Sequence, residues 1–125
     1  MINTKQLEQV GTYKTPQNME ARFELSYKNL IIGYLTLDSG KWSFTYSAEF
    51  KHQNSLMPMI DFPDVNKVYE SEELWPFFTS RIPSPSQPEV QSLIRRCNID
   101  AENEVSLLDF FGKRTITNPY LLELT

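Results

Sequence analysis

Few residues in this chain could do chemistry. His52 is the single histidine, and it lies in the polar stretch Lys51-His52-Gln53-Asn54. A histidine-based metal cluster is therefore excluded, and a Ser-His-acid triad would hang on one loop residue. Cys97 is the single cysteine. It has no partner for an internal disulfide or a cysteine zinc site, so a reducing, cytoplasmic setting is expected. The four glycines, Gly11, Gly33, Gly40 and Gly112, are scattered and form no phosphate-cradling loop. Carboxylates crowd into Glu70-Ser71-Glu72-Glu73 and residues 100–104, where helix starts favour negative charge, so a structural use accounts for them. Arg95, Arg96, Lys113 and Arg114 are the main basic concentration, read as a solvated face. The reading is of a non-enzyme with no catalytic residue, cofactor or metal.

What remains is recognition. Leu74-Trp75-Pro76-Phe77-Phe78 packs three aromatics and a proline into five positions, directly after the acidic run. Ser71 is a candidate N-cap for a short helix over residues 74–81, although Pro76 also allows a start nearer Trp75. On a helix Leu74, Phe77, Phe78 and Arg81 follow i, i+3, i+4, i+7 spacing, so Leu74 and the two phenylalanines share a face and go inward, and Trp75 is left off it. Trp75 then either packs on a neighbouring strand or anchors a partner, since tryptophan is enriched at interface hot spots.

The elements that position this stretch are strands before it and helices after it. With 125 residues, 40% hydrophobic and 13% aromatic, the chain suits one folded domain. Its net charge of −4 argues against direct nucleic-acid binding, which depends on neutralising phosphates. No apolar run approaches the length of a membrane span, and the first residues lack a signal-peptide core. Residues 1–20 read as a flexible N-terminal arm and 21–125 as a single domain. Residues 22–27 alternate as a half-buried strand, Lys28-Asn29 offers a turn, and 30–37 is apolar on both faces, as in a strand covered on each side. Gly33 hints at a bulge or a close backbone approach. Asp38-Ser39-Gly40-Lys41 supplies a hairpin turn, and Trp42, Phe44 and Tyr46 point one way, toward a core.

Beyond Tyr46, residues 47–50 suggest one helical turn, 56–60 an edge strand tolerating Pro58, Phe62-Pro63-Asp64 a turn, and 65–69 a short strand. Pro88 suits a first helical position, with Val90, Leu93, Ile94 and Cys97 as the buried stripe and Asn98 as the C-cap. Asp100 announces the next helix, buried through Val105, Leu108 and Phe111 and stopped at Gly112. The apolar tail over residues 115–124 returns to the sheet or needs another chain to cover it. The fold class is α+β: a small twisted antiparallel sheet of about four or five strands, barrel-like, followed by about three helices packed on it.

The order Gly33-Tyr34-Leu35-Thr36-Leu37, Gly40-Lys41-Trp42-Ser43-Phe44-Thr45-Tyr46, a proline-containing strand, Leu74-Trp75-Pro76-Phe77-Phe78 and Arg81-Ile82-Pro83 resembles the N-terminal subdomain of HipA-type serine/threonine kinases. The resemblance covers roughly residues 22–112. It departs from long HipA chains at Ile82-Pro83-Ser84-Pro85, where those tend to carry Leu-Pro-Glu-Gly, and no kinase core follows. It is similar in this to the small antitoxin subunit of tripartite HipBST-type toxin-antitoxin systems. The resemblance implies a HipT-like kinase toxin as partner and a HipB-like helix-turn-helix repressor in the same complex. It implies a partner-binding surface at Trp75, Phe78, Arg81, Pro83 and Ser84. The rival readings are an enzyme using carboxylates, and a scaffold or transcriptional co-regulator acting with a DNA-binding partner.

Overall fold

A computed structural model describes residues 14–125. The sheet has five strands, β1 (Glu20–Tyr27), β2 (Leu30–Asp38), β3 (Lys41–Tyr46), β4 (Tyr69–Ser71) and β5 (Leu121–Leu124). All neighbours are antiparallel, in the order β4-β3-β2-β1-β5. The sheet is open rather than barrel-like, because β4 and β5 are edges that do not pair with each other. Four helices occur among the described residues: α1 (Ala48–Lys51), α2 (Pro76–Thr79), α3 (Pro88–Arg96) and α4 (Glu104–Phe111). The architecture is α+β, with α1 inserted between strands and β5 following the last helix.

The alternation in β1 to β3 gives the sheet one apolar face. Phe23, Leu35 and Phe44 align across the three strands, and so do Leu25, Gly33 and Tyr46. Trp42, Phe44 and Tyr46 are all buried. Ser39 and Gly40 both have positive φ, 51° and 80°, which is the turn geometry that matches strand twist. Gly33 serves both uses that its position suggests. The β1–β2 register slips beside it, leaving Ile32 without a cross-strand partner, and a Cβ on Gly33 would lie 2.5 Å from the Thr45 carbonyl oxygen and 2.7 Å from Phe44 Cζ. Ser47 absorbs the bulge. Its N–H donates to the Ile32 carbonyl (2.9 Å), its hydroxyl donates to the Ile31 carbonyl, and the same oxygen caps α1 by accepting from Phe50 N (3.0 Å).

The structure corrects several expectations. β2 is covered on one face only, and Tyr34 and Thr36 on its other side are half-exposed. Residues 56–60 form no strand; Tyr46 Oη instead accepts from Met59 N (2.9 Å) and donates to the Phe62 carbonyl (2.6 Å), pinning an irregular loop. The strand expected over 65–69 lies at β4. Cys97 is exposed, because α3 ends at Arg96 and Asn98, at φ 54°, turns the chain away. Asn103, not Asp100, caps α4, accepting from Val105 N and Ser106 N. Residues 14 and 15 of the expected arm are tied down: Lys14 N donates to Glu102 O (2.9 Å), and Glu104 N donates to Lys14 O (3.1 Å). Of the arm expected over residues 1–20, residues 16–19 form no helix or strand, Glu20 begins β1, and residues 1–13 lie outside the described residues.

Candidate functional site

Pro76 decides how the aromatic stretch folds. It occupies the first position of α2, where its missing N–H is not needed, and Trp75 becomes the N-cap in an extended conformation, φ −67° and ψ 150°. The helix starts five residues past Ser71, which ends β4 and whose hydroxyl accepts from Glu73 N (3.0 Å) in a local turn. The acidic run is therefore a strand end and turn rather than a helix start. Trp75 O accepts from both Phe78 N (2.9 Å) and Thr79 N (3.0 Å), and further turns carry the coil through Ile82.

These turns sort the expected partner-binding residues into two groups. Phe78 is fully enclosed, with its ring 5.9 Å from Phe44 and 6.2 Å from Phe62. Burying a side chain of that size contributes about 1.5–3 kcal/mol, so Phe78 holds the helix to the sheet and offers a partner no face. Arg81 is also turned inward, only 3% exposed. Its guanidinium donates to the carbonyls of Gly112 (2.8 Å), Lys113 (3.3 Å) and Tyr120 (3.1 Å) and to Asn118 Oδ1 (3.0 Å). Burial pushes its pKa down to about 10, which leaves it charged at neutral pH. Trp75 and Pro83 are half-buried, and Ser84 is exposed with its hydroxyl 2.7 Å from that of Ser86. Trp75, Pro83 and Ser84 therefore form the accessible part of the set.

The residue that the sequence reading passed over is Phe62. It was assigned to a turn, yet it is fully buried and central: its ring stacks on Phe44 at 4.5 Å and meets Trp75 edge-on at 5.1 Å and 81°. Trp75 is thus packed against the core while remaining partly accessible. The loop between α1 and β4 that supplies Phe62 also exposes Met57 (79%), Ile60 (95%) and Val68 (55%). Around Trp75 in the chain, Glu70, Glu72 and Glu73 are exposed, with Glu70 in a solvent-facing pair with Lys41 at 3.8 Å. Such a pair adds little stability.

Nothing described around Trp75 is arranged for bond-making. No group of three or more His, Cys, Asp or Glu among the described residues is placed to hold a metal. A cleft of about 470 Å³ lined by Glu20, Arg22, Thr36 and Asp38 is wide open and involves none of the α2 residues. No helix among the described residues is long and apolar enough to cross a membrane. A family model described as the HipA N-terminal domain matches residues 23–117, from β1 to the segment before β5. No curated protein matches the chain.

Proposed function

From its membership of the HipA N-terminal domain family, to which the chain belongs, we propose that this protein is an antitoxin subunit that binds and inhibits a partner HipA-type serine/threonine kinase in a bacterial toxin-antitoxin system. The observation that carries the reading is the presentation of Trp75 within a family-matched domain. Its indole is braced by Phe62 and packed against the core while staying partly accessible, so little order must be gained when a partner covers it. An aromatic anchor of this type supplies a large share of an interface's energy. The half-buried Pro83 and exposed Ser84 extend the surface along the chain, and Met57 and Ile60 add apolar area on the loop that seats Trp75.

Inhibition in this reading is non-covalent. Phosphoryl transfer depends on positioning the nucleotide, its metal ions and the acceptor hydroxyl together. A domain docked at that site, or one that favours an open arrangement of the kinase, prevents the alignment without any chemistry of its own. A helix-turn-helix repressor is the expected third member, and the complex acts in the cytoplasm.

The test is co-purification with the product of its neighbouring gene, followed by phosphorylation assays with and without this protein. A stable complex with suppressed phosphorylation supports the reading. A complex with undiminished activity makes the protein a scaffold, and no complex removes the antitoxin role.

A further inference from the structure

Arg81 is a buried cation without a counter-ion. It forms no ion pair among the described residues, and its acceptors are three backbone carbonyls and one side-chain amide, all neutral. Its Nε is buried with no hydrogen-bond partner. Taking a charge out of water is costly, and an apolar side chain of similar volume often fills such a site at less expense. The cation gains part of that back at the end of α4, where the C-cap Gly112 presents its carbonyl and the dipole is negative, and from the Lys113 carbonyl just beyond, which also accepts from Leu122 N (3.0 Å). What an apolar residue cannot do is join separate stretches of chain.

The guanidinium joins three: the turn after α2, the end of α4, and the Asn118–Tyr120 approach to β5. The aromatic contacts run the same way. Phe77 lies 5.7 Å from the guanidinium carbon and 6.5 Å from the Tyr120 ring, and Tyr120 in turn meets Tyr27 of β1 at 5.7 Å. Trp75 is therefore fixed through Phe62 at the start of α2, while the far end of the same coil is fixed through Arg81.

We propose that Arg81 is the positioning residue of the Trp75 surface: its planar fork locks the α2 coil onto the end of α4 and the Asn118–Tyr120 segment, holding Trp75, Pro83 and Ser84 in docking geometry before the partner arrives. The proposal rests on the docking reading above and assigns Arg81 a role without touching the partner. Lysine cannot replace it, because a point-like ammonium does not reach two sets of acceptors as a rigid fork does.

The chain has two tryptophans, so fluorotryptophan labelling gives two fluorine NMR signals, assigned with Trp75→Phe. Trp42, fully buried, reports the core, and Trp75 reports the surface. In Arg81→Lys the Trp42 signal is expected to stay in place while the Trp75 signal shifts and gains solvent-isotope sensitivity. Affinity for the kinase is expected to fall at least tenfold. Asn118→Ala, which removes one of the four contacts, is expected to move the Trp75 signal in the same direction by less. Unchanged Trp75 signals in both variants overturn the proposal, as does equal movement of both tryptophans in both variants, which marks a general loss of stability. If the unaltered protein fails to bind the kinase, the antitoxin reading falls, and the fluorine signals still decide whether Arg81 positions Trp75.

Discussion

The indole nitrogen of Trp42 and the carboxylate of Glu104 lie 3.1 Å apart, joining β3 to the first residue of α4 across 62 positions of sequence. Glu104 is 6% exposed, and the same oxygen accepts from the Thr15 hydroxyl at 2.7 Å. A carboxylate at a helix N-terminus is favoured by the dipole, and here it also satisfies a buried donor. Glu104→Leu removes the shorter of the two acceptors of the Trp42 N–H, leaving Thr15 Oγ1 at 3.2 Å, and is expected to cost about 1 kcal/mol. Glu104→Gln keeps an acceptor and is expected to cost less. Urea unfolding of the two variants checks the order.

Tyr46 sets an alkaline limit on stability. Burial, partly offset by the Met59 N–H, pushes its hydroxyl from 10.0 up to about 12. The folded state therefore holds this proton more tightly than the unfolded chain does. The contribution is intact below pH 10 and is lost as pH rises from 10 to about 12, by about 2–3 kcal/mol in all. Denaturant unfolding at pH 8, 10 and 11 is expected to show a steeper decline in the natural protein than in Tyr46→Phe, which starts from lower stability because Met59 N and Phe62 O lose their partner.

Gly33→Ala tests the bulge. The added methyl meets the Thr45 carbonyl and the Phe44 ring at distances that force movement of backbone or core. Overpacking of this kind costs about 1–3 kcal/mol. A lowered midpoint of thermal unfolding with an unchanged circular dichroism spectrum is the expected result.

Cys97 is exposed and is expected to react fully with a small thiol reagent in the native state, at the rate of the unfolded chain within about tenfold. Protection in the native protein would return Cys97 to the core.

The three long strands were legible because residues 22–27 and 42–46 alternate, residues 30–37 are an apolar run rich in β-formers, and the Ser39-Gly40 turn fixes one hairpin. The irregular stretch between α1 and β4 was not. Its course is set by Tyr46 Oη and by the seat of Phe62 against Phe44, contacts made across sequence with no local period to announce them. Helix spacing placed Phe78 and Arg81 on one face, and the structure turns that face inward. The family resemblance assigned Arg81 to the partner surface, whereas the acceptors that hold it inward lie 31 to 39 residues away. Cys97 followed the stripe of α3 on paper, but the stripe ends at Ile94 because Asn98 reverses the chain. Trp75 was legible as the residue left off the buried face, and its seat on Phe62 was not.

The most direct test of the account is a titration of the partner kinase with this protein and with Trp75→Ala, reading binding and phosphorylation together. Trp75 is half-buried, and its edge-on contact with Phe62 contributes about 0.5–1.5 kcal/mol beyond the apolar area it covers, so urea unfolding accompanies the titration and binding is read on the folded variant. Its affinity is expected to fall by about 30-fold, equivalent to about 2 kcal/mol, with phosphorylation restored in parallel. A folded Trp75→Ala that binds and inhibits as well as the natural protein would contradict the account.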